Sequence, residues 1–486
     1  MRKVGWLLAL TTLLSMGRAE AQDSVLAITG VTLIDGTGGP ARANQTVIVR
    51  GDRIAAVGSA AQLRAPGGAR VIDGRGKTLI PGLWDMHTHV LAWGAKAFPL
   101  LLANGVTTVR EAGSAPPEAA IGMRDKVARG EVLGPRMLVA GPTLDAEFIR
   151  QGPWAAGRWA VGTPEEGRRA VDSLKKLGVD FIKVHSATPR AAYFAILEEA
   201  GKQGLLVAGH VPDSVSPIEA IRAGQRTIEH DWRIATANTP QGEAISRRML
   251  AGMQRVLDSA GGKPKLWPYV MHRIAADDSA SAVYDSATAA AFAREAASRL
   301  VWFDPTLAVL YSQHRRNETA IRKPPGLKYV PPEGLEFEDG LPPKEHPTDA
   351  DIAVGRRAYA RTTAIFRELI RAGAKFVAGT DSPVLPVVPG FGLQLELELL
   401  VGAGLTPLQV IAAATGNAAA AMGREATTGT IAAGKAADLV LLDGDPLANI
   451  RNRRRIAAVV TRGRLLDRAV LDSLLVQAEA TAARKP

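Results

Sequence analysis

The stretch Leu83-Trp84-Asp85-Met86-His87-Thr88-His89 decides how the rest of the chain reads. As a strand it sends alternate side chains to one face, so Asp85, His87 and His89 share a side. Two neutral imidazoles on one face can hold a divalent cation between them. A His-x-His pair also arises as an ordinary solvated strand face, so the spacing alone leaves both readings open.

Outward from this strand, apolar runs alternate with helical stretches, the texture of βα units whose parallel sheet is buried on both faces. Eight strands are expected, at Trp84 to His87, Thr107 to Arg110, Met137 to Ala140, Phe181 to Val184, Leu205 to Ala208, Arg226 to Ile228, Leu300 to Phe303 and Lys375 to Ala378. Eight is the count of a closed (β/α)8 barrel, a TIM-like α/β fold. Thr163-Pro164-Glu165-Glu166 marks a helix start ahead of the fourth strand, with an N-cap hydroxyl, proline at N1 and an acid at N3. Short β-rich runs at Val25 to Ile28, Val31 to Ile34, Thr46 to Val49 and Arg53 to Val57 precede the barrel, and Ala437 to Leu442 and Ala457 to Val460 follow it. The two ends pair in this reading into a small β-sandwich. The boundaries follow as 22–81 and 425–486 for the sandwich, 82–424 for the barrel, and about 237–349 for a helical insertion, whose segment from Lys323 to Asp349 is rich in proline and glycine.

Barrel enzymes place their chemistry at the C-terminal ends of the strands. Lys183 closes strand four, His210 closes strand five, His230 closes strand six, and Asp381 closes strand eight in Gly379-Thr380-Asp381-Ser382. Each of them singly has an ordinary explanation. A buried lysine costs several kcal/mol unless paired or neutralised, so Lys183 either snorkels to water or is changed chemically. A lone histidine is more often hydrogen-bonded in a core than bound to metal. Together, at strand ends and all of types that bind or bridge metal, they point to a metal site. His185, Arg110 and Trp302 are candidate substrate contacts, and Arg150 is a second arginine that could meet a substrate carboxylate. Glu111 reads as structural, while His272, His314 and His346 lie in the insertion and are not expected to be ligands.

Composition narrows the class. At 486 residues, 47% hydrophobic and 22% charged, the chain is globular, with apolar material for one large domain or two smaller ones. Met1-Arg2-Lys3, the apolar stretch from Val4 to Leu14 and Ala19-Glu20-Ala21 form a signal peptide over 1–21, so the protein is expected to be exported, to the periplasm or beyond. That stretch is too short for an ordinary membrane span, and no stable membrane anchor is expected. With no cysteine, neither disulfides nor a cysteine-linked lipid is available. The net charge of +11 is scattered apart from Arg451-Asn452-Arg453-Arg454-Arg455, and without zinc-finger spacing or a phosphate loop nucleic acid is disfavoured as a partner.

Six stretches carry a resemblance: Ile80-Pro81-Gly82-Leu83-Trp84-Asp85-Met86-His87-Thr88-His89, Gly105-Val106-Thr107-Thr108-Val109-Arg110, Gly209-His210, Thr227-Ile228-Glu229-His230, Gly379-Thr380-Asp381 and Gly434-Lys435-Ala436-Ala437-Asp438-Leu439-Val440. With them the chain resembles the amidohydrolase superfamily, especially its exported Xaa-Pro dipeptidase and imidazolonepropionase-like branch. The resemblance implies two divalent ions, zinc fitting the mixed nitrogen and oxygen donors best, with manganese, cobalt or iron as alternatives. It implies that His87, His89 and Asp381 hold the deeper ion, that His210 and His230 hold the outer one, and that Lys183 bridges them. An ammonium has no lone pair, so Lys183 would bridge as a carbamate made with CO2. A metal-bridging hydroxide would attack a small-molecule amide or peptide (a dipeptide, an N-acyl amino acid or an ochratoxin-like amide), with Asp381 shuttling the proton. Relatives of this kind often assemble, so a homo-oligomer is compatible. Two rivals stand beside this reading: a mononuclear cyclic-amide hydrolase or deaminase, and a binding protein that keeps the fold without catalysis.

Overall fold

The computed structural model describes residues 25–113, 115–146, 157–230, 233–259, 266–313, 315, 321, 323–332, 334 and 348–483. The leader over 1–21 lies outside them, as do Arg150, His314 and His346.

All eight expected strands form, each within two residues of its expected bounds: β1 Leu83–Thr88, β2 Val106–Glu111, β3 Arg136–Val139, β4 Phe181–Val184, β5 Leu206–Gly209, β6 Thr227–Glu229, β7 Trp302–Asp304 and β8 Lys375–Phe376. They pair in parallel as one sheet of β1 to β3 and another running from β4 to β8. Backbone bonds close both seams. Asp180 N–H donates to Val139 O between β3 and β4, while Met86 N–H reaches Ala378 O and Asp381 N–H reaches His87 O between β8 and β1. The result is a ring of eight parallel strands.

Strand β4 shows why the chain folds this way. Ile182 and Val184 join the large core with Val171, Leu174 and Ile196 of the surrounding helices, whereas Phe181 belongs to a separate apolar cluster with Trp302 and Ala208. One alternation therefore feeds two layers. Helix Pro164–Leu177 begins with the expected reciprocal cap between Thr163 and Glu166 and stops at Gly178, at φ +86°. The same device recurs at Ser216 and Thr406. Each such cap stabilises its helix by about 1 kcal/mol.

The chain ends do pair. Thr78–Pro81 runs antiparallel to Leu439–Leu442, so strands from both ends form one eight-stranded sheet. Ile28, Val47, Leu79, Leu439 and Val460 share its core. Two expected runs are here one strand, Val25–Leu33, whose register shifts between Ile28 and Val31 where Gly30 takes φ +75°. Arg70–Asp73, Arg464–Asp467 and the C-terminal helix Arg468–Ala482 are additional to the sequence reading. No helix among the described residues is long and apolar enough to cross a membrane.

Candidate metal centre

His87 and Lys183 lie on β1 and β4, while His210, His230 and Asp381 follow β5, β6 and β8 in the chain. His230 and Asp381 sit at φ +56° and +63°, a left-handed conformation costing a non-glycine residue about 1–3 kcal/mol. Backbone bonds hold both in place: His230 N–H donates to Asp304 O at 2.8 Å and Asp381 N–H to His87 O at 2.8 Å. Strain that the surroundings enforce is characteristic of working residues.

The side chains converge. Asp381 Oδ1 lies 3.5 Å from His87 Nε2 and 3.2 Å from His89 Nε2, and its Oδ2 lies 4.0 Å from His230 Nε2. Lys183 Nζ stands 3.1 Å from His87 Nε2. The rings of His87 and His230 are 4.7 Å apart and those of His230 and His210 4.6 Å. Donor atoms of His87, His230 and Asp381 lie within 4.8 Å of one another, close enough for one ion. The opposite ring nitrogens are already engaged: Nδ1 of His87 by Glu229 at 2.7 Å, of His210 by Ser186 at 2.6 Å and of His230 by Thr306 at 2.6 Å. Such contacts fix ring orientation and tautomer and leave Nε2 as the ligating atom. The donor set therefore fits a divalent metal.

Electrostatics favour the same use. Burial lowers His87 to about 4 and takes His210 and His230 well below the usual histidine range, so all three present neutral imidazoles. Burial also lowers Lys183 to about 8, with Glu229 opposing and Arg110 reinforcing it. For Asp381, burial pushes upward, but His87, His89 and His230 outweigh it and keep the carboxylate ionised.

Arg110 occupies the layer below. Its side chain is 1% exposed, and its Nη2 donates to Glu229 at 2.6 and 2.7 Å and to Asp304 at 3.1 Å. Nη1 meets Thr227 Oγ1 at 2.8 Å, Nε donates to Met86 O, and the guanidinium lies 5.5 Å over the Phe181 ring. This corrects the expectation of a substrate contact, because β2 turns Arg110 into the barrel to balance two buried acids. Trp302 is corrected too. It begins β7, is 5% exposed, and joins Trp84, Met86, Phe181 and Val377 in the apolar floor beneath Arg110.

His185 is held beside His210. Its Nδ1 lies 2.8 Å from Asp145 Oδ2 and 3.3 Å from Arg158 Nη1, and its ring is 4.1 Å from that of His210. Asp145 and Arg158 come from two short parallel strands, Thr143–Asp145 and Arg158–Ala160, added beside β4. Burial would raise Asp145, but His185 and Arg158 outweigh it and lower its pKa. Glu111 is buried and accepts from Leu91 N–H at 3.2 Å, a structural role, and His272 packs against Gly252 between two insertion helices.

Sequence reasoning missed the roles of Glu229, Asp304, Ser186 and Thr306, the residues that hold the candidate ligand histidines and the arginine. For Glu229 a signal existed: it shares the parity of Thr227 on a strand whose alternate residues face the barrel interior.

Known proteins frame this geometry. A model of the Amidohydrolase family matches residues 78–466. An ochratoxinase of Aspergillus niger is 24% identical over 483 residues, spanning 86% of this chain and 81% of its own. A solved bottromycin amidohydrolase superposes with a TM-score of 0.73 at 22% identity, covering 97% of this chain and 94% of that one. A Xaa-Pro dipeptidase with methionine bound in its active site gives 0.63 at 20% identity, covering 91% and 100%. At those identities the two structures bear on fold alone.

Proposed function

The chain belongs to the amidohydrolase family, and from that premise we propose an exported, binuclear metal-dependent hydrolase of amide or peptide bonds. The observation that carries the reading is Lys183, buried with its Nζ 3.1 Å from Nε2 of a candidate ligand. An ammonium among metal ligands would repel the ions. A neutral amine, which burial favours by lowering Lys183 to about 8, adds to CO2, forming an N–C bond and releasing one proton to solvent. The carbamate is anionic and has two oxygens to share.

His87, His89 and Asp381 would hold one ion, His210 and His230 the other, with Lys183 between them. Two divalent ions bound there supply Lewis acidity for a carbonyl and acidify a water. The protein's own part is to hold the neutral imidazoles in orientation through Glu229, Ser186 and Thr306, and to move the proton. Asp381, kept as a carboxylate, takes a proton at Oδ from the attacking water and returns it to the departing nitrogen.

The named activities of the relatives support a dipeptide, an N-acyl amino acid or a related amide as substrate. A mononuclear site made from His87, His89, His210 and Asp381 would leave Lys183 without a role. The test is a panel of Xaa-Pro dipeptides and N-acyl amino acids given to protein stripped of metal and then restored. Amide cleavage that disappears and returns supports the reading; cleavage of esters or lactones alone contradicts it. N-terminal sequencing of protein recovered outside the cytoplasm tests cleavage after Ala21.

A further inference from the structure

His210 stands where the sheet stops supporting the chain. On its N-terminal side the backbone is fixed twice: His210 N–H donates to Val184 O at 3.1 Å, and the buried side chain of Gln225 donates to Gly209 O at 2.7 Å. On its C-terminal side β5 has ended at Gly209, and the chain runs through Val211-Pro212-Asp213-Ser214-Val215 to the cap of helix Pro217–Arg222. A ligand on such a loop keeps its place only if something holds the loop.

Arg233 holds it. The arginine follows His230 by three residues and is 7% exposed. Its Nη1 donates to Pro212 O at 3.1 Å, to Asp213 O at 3.0 Å and to Val215 O, while Nη2 donates to Ser246 Oγ at 3.1 Å on the insertion helix Gly242–Ser259. None of these four acceptors is a carboxylate. Burying a guanidinium is costly unless its donors are met, and here most of them are met by the backbone of one short loop. That loop is gripped from both sides. Its carbonyls face Arg233, whereas Asp213 N–H donates to Ser186 O at 2.8 Å, and Ser186 Oγ meets His210 Nδ1 at 2.6 Å. One side chain on the loop after β6 therefore ties down the loop after β5 and, through Ser186, bears on the orientation of the His210 ring.

We propose that Arg233 is the positioning residue of the outer ion: by stapling the loop after His210 to the loop after His230, it sets the spacing of that ion's two histidines. This rests on the two-ion reading above and adds to it the group that keeps the outer site open to metal. The deeper group has no need of this staple. His87 and His89 are two residues apart in the chain, and Asp381 N–H donates directly to His87 O at 2.8 Å. Loss of Arg233 should consequently fall on one ion and spare the other, which a brace for the fold at large would not do.

The experiment counts ions bound per chain by the full-length protein across a series of buffered zinc concentrations, with no assay of hydrolysis. The wild type should take up two, and His210→Ala marks the part of the curve that belongs to the outer ion. Arg233→Met should move that part to roughly 10- to 100-fold higher zinc, as the loss of a group supporting a ligand does, and leave the other part in place. Arg233→Lys keeps the charge with fewer donors; it should move the same part by less, and it serves as the test if the methionine variant does not fold. A curve that neither variant moves overturns the proposal, and so does one in which both ions shift together. One ion per wild-type chain defeats the two-ion reading and this role with it, whereas two ions that ignore Arg233 defeat this role alone.

Discussion

Two groups of possible ligands meet at His87, one on each of its ring nitrogens. Above, His87, His230 and Asp381 bring their donor atoms within 4.8 Å; below, His87, Glu229 and Asp304 do the same. By distance the two are equivalent. Charge separates them, for the lower group already contains a cation in Arg110, which meets both Glu229 and Asp304. Burial and the neighbouring Glu229 charge raise Asp304 well above the ordinary aspartate range, whereas Glu229, where burial also pushes upward, is drawn well below by Arg110 and His87. The upper group has Lys183 beside it, lowered to about 8. Donor spacing therefore does not by itself mark a metal site; the neighbouring charges, a fixed guanidinium below and a lysine weakened by burial above, also count.

Removing the carboxylate that only the upper group has should do most damage. Asp381→Asn is expected to lower kcat by about 10²- to 10⁴-fold, the range for a lost acid-base group, in steady-state assays at full metal loading. Arg110→Met attacks the lower group instead, leaving buried acids without their cation. It should destabilise the fold by about 3–5 kcal/mol, read from denaturant midpoints of metal-free protein, so an unchanged midpoint would erase the distinction drawn between the clusters. Glu229→Gln keeps the volume and alters the contact to His87 that joins the two groups. Metal affinity by chelator competition should fall roughly 10- to 100-fold, with apo stability falling less than in Arg110→Met. The last prediction concerns pH and the metal-free chain. Burial holds His87 and His185 at about 4 in the fold, against about 6.5 when unfolded. Between those values the unfolded chain binds more protons, so stability should decline as pH falls from about 6.5 towards 4. A urea midpoint flat across that window would show that these rings are charged when folded.

The upper group was legible in sequence and the lower was not, for a physical reason. His87, His89, Lys183, His210, His230 and Asp381 sit at strand ends, where period and position along the chain indicate which way a side chain faces. Arg110 has the same parity, but its partners Glu229 and Asp304 come from β6 and β7, and nothing local to β2 records which charge it meets across the barrel. The same holds for His185, which depends on Asp145 and Arg158 from strands that follow no repeat of the barrel. Gly379 illustrates a constraint of another kind. A Cβ there would lie 2.5 Å from the Asp304 carboxylate and 2.7 Å from His87 N, so only glycine lets β8 approach both clusters. The eight strands were readable because burial on both faces forces continuous apolar runs. In the end sheet, Thr78–Pro81 was missed because one of its two partner strands lies more than 350 positions away, the other pairing with it through Thr32 and Leu33 alone.

The most direct test is metal content set against activity. Elemental analysis of purified wild-type protein should give two divalent ions per chain, and Lys183→Ala should hold one or fewer while losing amide hydrolysis. One ion per wild-type chain, with Lys183→Ala fully active, would contradict the binuclear centre.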